Sequence, residues 1–77
     1  MAGRKPKEPD TSTFTGQVAA RIRERRLKKK ISVEDAAAAA GVSAQAWYHW
    51  EKGTHLPLEA LPKAARALGC SVRSLIP

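Results

Sequence analysis

Five consecutive alanines, residues 36–40, lie between Ser32, a residue type that often caps the start of a helix, and Gly41, a residue type that often ends one. Alanine has the highest helix propensity of all residues. Before the run, Ser32 can accept a hydrogen bond from a backbone N–H of the first turn, and Asp35 follows it in the manner of a capping box. After the run, Gly41 readily adopts the left-handed conformation that closes a helix. The sequence therefore predicts one short, smooth helix that ends at residue 41.

A second short helix follows at once, because Ser43 repeats the capping signal and Gly53 repeats the stop signal. Two short helices joined by a tight turn form a helix-turn-helix motif. Trp47 and Trp50 share one face of the second helix, which we expect to be buried. The opposite face carries mostly polar side chains, some of them suited to hydrogen bonding with base edges: Ala44, Gln45, Tyr48, His49 and Lys52.

The segment before this motif divides into a polar arm and a helix. Residues 1–14 contain prolines and no apolar periodicity, which predicts a disordered, basic N-terminal arm. Val18 and Ile22 are spaced to share one helical face, so a helix is expected from about residue 15 or 16 to residue 29. We expect Thr15 to be its N-cap.

The segment after the motif predicts two further helices. One covers about residues 59–68, with Pro62 tolerated because it falls in the first turn. The other is short and follows Ser71, which can cap it. The fold class predicted from the residues is therefore all-α, with five short helices in one domain of residues 15–77.

Positive charge is concentrated in one stretch. The chain of 77 residues has a formal net charge of +7, from 14 Lys and Arg against 7 Asp and Glu. Residues 17–31 hold seven basic residues and one acidic residue, a net charge of +6. A small chain this basic is expected to bind a polyanion, either a nucleic acid or an acidic membrane surface.

Composition excludes several other classes of function. A chain of 8.4 kDa has little room for a deep substrate cavity, and no nucleophile stands beside a candidate base, so we expect no enzyme. Cys70 is the single cysteine, and His49 and His55 lack ligand spacing, so neither a disulfide, a metal site nor a cofactor is expected. No apolar run is long enough for a membrane span. These features predict a cytoplasmic protein.

Residues 18–76 resemble the helix-turn-helix domain of the lambdoid phage repressor and Cro family, which is XRE-like and is shared with many bacterial regulators. The residues that carry the resemblance are Arg26, Ile31-Ser32, Ala37, Gly41-Val42-Ser43, Trp50-Glu51-Lys52-Gly53, Leu61-Pro62, Ala65, Leu68-Gly69 and Val72. The resemblance implies five short helices, with residues 44–52 as the recognition helix in the major groove of DNA. It also implies a structural ion pair between Arg26 and Glu51, and it implies association with the nucleoid in a bacterial host.

The contacts expected with DNA fall into two groups. Base reading is expected from Gln45 and His49, with Ala44 against a thymine methyl group. Tyr48 is the fourth candidate, although it could equally contact a sugar-phosphate or lie over the first helix. Phosphate contacts are expected at the start of the recognition helix, just beyond its end, and at the end of the basic helix: Ser43, Lys52, Thr54, His55, Arg26, Lys28 and Lys29.

Two residues depart from the family pattern. The family often has glutamine where Val33 stands, and that residue helps to hold a phosphate or another glutamine. It often has glycine where Lys30 stands, and lysine takes the left-handed conformation only at a cost of about 1 kcal/mol. The missing glutamine leaves open a different interpretation of the same fold, in which the motif binds protein.

Taken together, these patterns predict a sequence-specific regulator of transcription that binds double-stranded DNA. The expected form is a repressor of the Cro type, acting as a homodimer on a palindromic operator. We expect a weak dimer contact through Leu75, Ile76 and the loop of residues 54–58. The alternative is a protein-interaction adaptor or an antitoxin, whose helix-turn-helix domain mainly binds a toxin or other protein and whose basic face is only solvated.

Overall fold

The computed structural model describes residues 11–77, and all regular structure in that range is helical. Within this range four α-helices follow one another: α1 (Phe14–Lys29), α2 (Val33–Ala40), α3 (Ala44–Lys52) and α4 (Ala60–Leu68). The all-α prediction is confirmed. The count of five helices is wrong, because the last segment, Val72–Leu75, is a single 3-10 turn.

The geometry around Ser71 explains why the last segment is not an α-helix. The backbone N–H of Ser74 donates to the carbonyl of Ser71, three residues earlier, over 3.1 Å. The next turn does not form, since Ile76 is already extended, with φ −102° and ψ 128°. One turn satisfies too few backbone bonds to offset the cost of starting an α-helix, and such short segments commonly take the tighter 3-10 form.

The first helix begins earlier than the sequence predicts. Thr13 is its N-cap, and its side-chain oxygen accepts from the backbone N–H of Gly16 over 2.9 Å. The expectation of Thr15 as N-cap is therefore wrong, because a threonine two residues earlier has the extended backbone that a cap requires. Residues 1–10 of the predicted arm lie outside the described residues.

The helix-turn-helix signals act as the sequence predicts. The hydroxyl oxygen of Ser32 accepts from the backbone N–H of Asp35 over 3.0 Å, and that of Ser43 accepts from Ala46 over 3.1 Å. Between the two helices, Gly41 has φ +76°, a left-handed conformation that side chains other than glycine rarely adopt. These local bonds fix the bounds of α2 and α3 and the sharp turn between them.

Both tryptophans lie in the core. Trp47 is fully buried and Trp50 almost so, and their ring centroids are 5.3 Å apart. Across from them, Ala36 and Ala37 of α2 are also buried, so the alanine helix packs closely against its neighbours. The large indole rings thus share one core with a helix of small side chains, and α3 is left with a single face toward solvent.

Candidate nucleic-acid interface

The exposed face of α3 brings together most of the residues predicted to read bases. Gln45, Tyr48 and Lys52 are exposed, and His49 is half-buried at the edge of the same face. Their spacing places them along one side of a helix, opposite the buried tryptophans. Ala44 is half-buried and packs against the core, so it presents only part of its methyl group to a partner.

The start of α3 offers donors that suit a phosphate. The hydroxyl oxygen of Ser43 already accepts from the Ala46 N–H, which leaves its hydroxyl proton for donation outward. The first backbone N–H groups of a helix lack partners within the helix and carry the positive end of its dipole. Ser43 is exposed at this end, so the predicted position of a phosphate beside it is open.

The end of α3 is shaped by Gly53. This glycine has φ +76°, and its N–H donates to the carbonyls of His49 and Trp50. A Cβ atom at residue 53 would lie 3.5 Å from both the Cβ of Ala19 and the Cα of Gly16, so α1 packs closely at this point. Beyond Gly53, Thr54 and His55 are exposed beside the end of α3.

Arg26 and Glu51 form the ion pair that the resemblance implies. Nε of Arg26 donates to Oε2 of Glu51 over 2.5 Å, and Nη2 donates to Oε1 over 3.2 Å. Nη1 of Arg26 donates to the carbonyl of Ile31 over 3.0 Å, and Oε2 of Glu51 also accepts from the indole N–H of Trp47. The two side chains expose only 13% and 7% of their surface. Arg26 thus uses three of its five N–H groups inside the protein, and the other two have no partner among the described residues.

The basic residues of α1 are divided between two flanks of the helix. Arg23 lines a groove with Tyr48 and Lys52, on the side of the recognition helix. The opposite flank, which faces the 3-10 turn, has a second groove lined by Arg21, Glu24, Arg25, Lys28 and Ser74. A helix turns about 100° per residue, so Arg23 and Lys28 lie about 140° apart around the axis. The net charge of this stretch therefore does not form one continuous surface.

The side chain of Lys29 lies in neither of these grooves and extends toward Gly69. A Cβ atom at Gly69 would lie 3.4 Å from its Nζ atom, so the ammonium group approaches the last residues of α4. The negative end of a helix dipole favours a cation there. Lys28 and Lys29, both predicted to contact phosphates, therefore lie away from the groove that Arg23 lines.

Arg23 is the candidate that the sequence reasoning missed. The sequence prediction places the phosphate contacts of α1 at the end of the helix and does not include Arg23. The available signal was its spacing of three residues from Arg26, which puts the two on one side of a helix. Because Arg26 was already expected to face the third helix, Arg23 could have been assigned to the same flank.

An apolar groove lies on another part of the surface. Phe14 and Leu58 are 60% and 86% exposed, and they line this groove with Val18, Leu56 and Leu61. Of the residues expected to form a dimer contact, Leu75 is fully buried and packs in the core. That expectation is wrong for Leu75, whereas the loop of residues 54–58 does present an exposed leucine.

Two general findings apply to residues 11–77. Every helix there is too short or too polar to cross a membrane. The same residues bring no three His, Cys, Asp or Glu side chains together in an arrangement that would hold a metal ion.

The four helices and the turn of residues 41–43 define a helix-turn-helix domain. Residues 17–75 match the family described as helix-turn-helix domain, and the protein belongs to that family, which is XRE-like and binds DNA. Its fold is similar to the crystal structure of the clp gene regulator ClgR from C. glutamicum, with a TM-score of 0.76 and 26% sequence identity. That likeness covers 82% of this chain and 83% of the other. No curated protein is similar enough in sequence to match this chain.

Proposed function

We propose that the protein is a transcriptional regulator that binds double-stranded DNA in a sequence-specific manner, with α3 in the major groove. The observation that carries this proposal is the division of α3 into two faces. Trp47, Trp50 and Glu51 anchor one face in the core, so Gln45 and His49 are held on the other at a fixed orientation. The family and the likeness to a gene regulator support the broad class.

Phosphate contacts would flank the reading face on both sides. Ser43 would donate at the start of α3, and Lys52 and His55 would act near its end. We add Arg23, since it shares a groove with Lys52. Lys28 and Lys29 would not contact a phosphate, because both lie away from that groove.

The finer part of the proposal is a cytoplasmic repressor of the Cro type that acts as a homodimer on a palindromic operator. In the 54–58 loop, Leu58 is 86% exposed and would supply an apolar contact. So small an apolar contact favours a dimer that is weak without DNA. Two recognition helices related by a twofold axis would then read half-sites about 34–36 Å apart.

Selection of bound sequences from a random pool of DNA duplexes tests this function. We expect a palindromic consensus with half-sites about one helical turn apart. A variant with both Gln45→Ala and His49→Ala should stay folded, since neither residue lies in the core, and should lose the consensus while keeping salt-sensitive binding to any sequence. A wild-type pool without enrichment would contradict sequence-specific binding, and an asymmetric site bound by one protomer would contradict the homodimer.

Two observations favour a second function, an adaptor or antitoxin that binds a protein. The groove beside Phe14 and Leu58 is apolar and exposed, and Val33 replaces the glutamine that would hold a phosphate. Apolar contacts release few counterions, so binding to a protein should change little with salt, whereas binding to DNA should weaken steeply. A partner retained at high salt by the wild type and lost by Leu58→Asp would support this alternative.

A further inference from the structure

Thr54, just beyond the end of α3, lies beside His49, one of the two residues proposed to read bases. The N–H of Thr54 donates to the carbonyl of His49 over 3.2 Å, as the residue after a left-handed glycine does in a Schellman motif. This bond holds residue 54 against the last turn of α3. The Oγ1 atom of Thr54 and the Nδ1 atom of His49 are then 3.2 Å apart, within hydrogen-bonding distance.

This contact leaves the second ring nitrogen of His49 facing outward. Nδ1 is paired with Thr54, and within the described residues Nε2 has no hydrogen-bond partner. A neutral imidazole carries one proton, and the hydrogen bond at one nitrogen sets whether the other nitrogen donates or accepts. Thr54 thus determines whether Nε2 of His49 presents a donor or an acceptor to a base.

The chemistry of the two groups favours one arrangement. A hydroxyl group has one proton to donate, and an unprotonated imidazole nitrogen is a better acceptor than a hydroxyl oxygen. The tautomer with the proton on Nε2 is also the more stable form of a free histidine side chain. Both preferences agree on Thr54 O–H donating to Nδ1, with the ring proton on Nε2.

We propose that Thr54 is a positioning residue that fixes His49 as a hydrogen-bond donor in the major groove, so that His49 binds an acceptor such as guanine N7 or O6 and rejects cytosine. Guanine presents two acceptors there, N7 and O6, whereas cytosine presents an N4 amino donor that would face the Nε2–H of His49. The inference rests on the proposed DNA-binding function. It also changes the role expected for Thr54, because a hydroxyl that donates to Nδ1 has no proton left for a phosphate.

The first test needs no DNA. The ¹⁵N chemical shifts of the His49 ring, measured by NMR under mildly alkaline conditions where imidazoles are neutral, report which nitrogen carries the proton. We expect Nε2 to be protonated in the wild type. Thr54→Val keeps the shape of the side chain but removes the hydroxyl, and should move the ring toward a mixture of tautomers. Thr54→Ser should restore the wild-type shifts.

The second test measures base preference with the same variants. At the position that His49→Ala shows to be read by this histidine, the wild type should prefer guanine over cytosine. Thr54→Val should reduce that preference about tenfold, since a tenfold change corresponds to the lower part of the range for one good base contact. Thr54→Ser should retain it, and the salt dependence of binding should be unchanged in both variants.

The outcomes separate the inference from the function on which it rests. A wild-type ring protonated on Nδ1, or shifts that Thr54→Val leaves unchanged, would overturn the positioning role even if DNA binding is sequence-specific. A loss of affinity in Thr54→Val that is equal on every DNA sequence would show that Thr54 contacts a phosphate instead. A wild type that selects no sequence would overturn the proposed function and the assignment of guanine with it.

Discussion

The indole N–H of Trp47 donates a hydrogen bond of 2.6 Å to Oε2 of Glu51, one turn further along α3. The same oxygen accepts from Nε of Arg26 on α1. A buried carboxylate therefore joins the core tryptophan of the recognition helix to the first helix. Because hydrogen bonds are directional, this arrangement fixes the rotation of α3 about its axis more tightly than apolar packing alone. The face that Gln45 and His49 present depends on that rotation.

We expect Trp47→Phe to lower the free energy of unfolding by about 1–2 kcal/mol more than Trp50→Phe. Both changes remove a similar part of a buried ring, but only the first removes a hydrogen bond to a charged group. Trp50 is a matched control, since among residues 11–77 its indole N–H has no hydrogen-bond partner. Urea unfolding followed by circular dichroism measures the difference. Equal losses would mean that the Trp47 hydrogen bond contributes nothing to stability.

Arg26 and Glu51 should be strongly coupled. Arg26→Met or Glu51→Leu alone leaves the partner charge buried and unpaired, which costs about 3–5 kcal/mol. The double variant should lose clearly less than the sum of the two single losses, because no unpaired charge remains. Thermal and urea unfolding of all four proteins completes the cycle. Small, additive losses would show that the pair makes no net contribution.

The helix-turn-helix motif was predictable because its signals are local. Ser32, Gly41 and Ser43 each act on backbone groups within a few residues, so the sequence around them is sufficient. The burial of both tryptophans followed from their spacing on one helix face. The rest depends on which sides of the helices meet in three dimensions, and for this reason the sequence could not show that Arg23 and Lys28 lie on opposite flanks of α1, one beside α3 and the other beside the 3-10 turn.

Lys30 stores strain that a single substitution should relieve. It has φ 60° and ψ 41°, the left-handed conformation that glycine occupies at the ends of the other three helices. Lys30→Gly should raise the free energy of unfolding by about 1 kcal/mol, because glycine takes this conformation without the clash of a Cβ atom. Lys30→Ala removes the charge but keeps the Cβ atom, and should give no such gain. An equal gain in both variants in thermal melts would mean that the charge of Lys30 matters and its backbone does not, and no gain in Lys30→Gly would mean that Lys30 stores no strain.

The division of the basic residues on α1 can be measured by the salt dependence of DNA binding. Each phosphate contact contributes about −0.9 to the slope of log affinity against log salt. Arg23 shares a groove with Lys52 on the flank of the recognition helix, so Arg23→Gln should make the slope shallower by about one unit. Its effect should be similar on every DNA sequence, because a phosphate carries no base information.

Lys28→Gln is the matched control, because it removes the same charge from the same helix but from the flank that faces the 3-10 turn. We expect it to leave the slope unchanged, and Lys29→Gln likewise, since Nζ of Lys29 lies near Gly69. The sequence alone predicts the reverse, with the phosphate contacts at Lys28 and Lys29. A shallower slope for these lysines and an unchanged slope for Arg23→Gln would mean that DNA approaches the end of α1 and not the groove beside Tyr48. The groove flanked by Arg23 would then have no part in positioning the recognition helix.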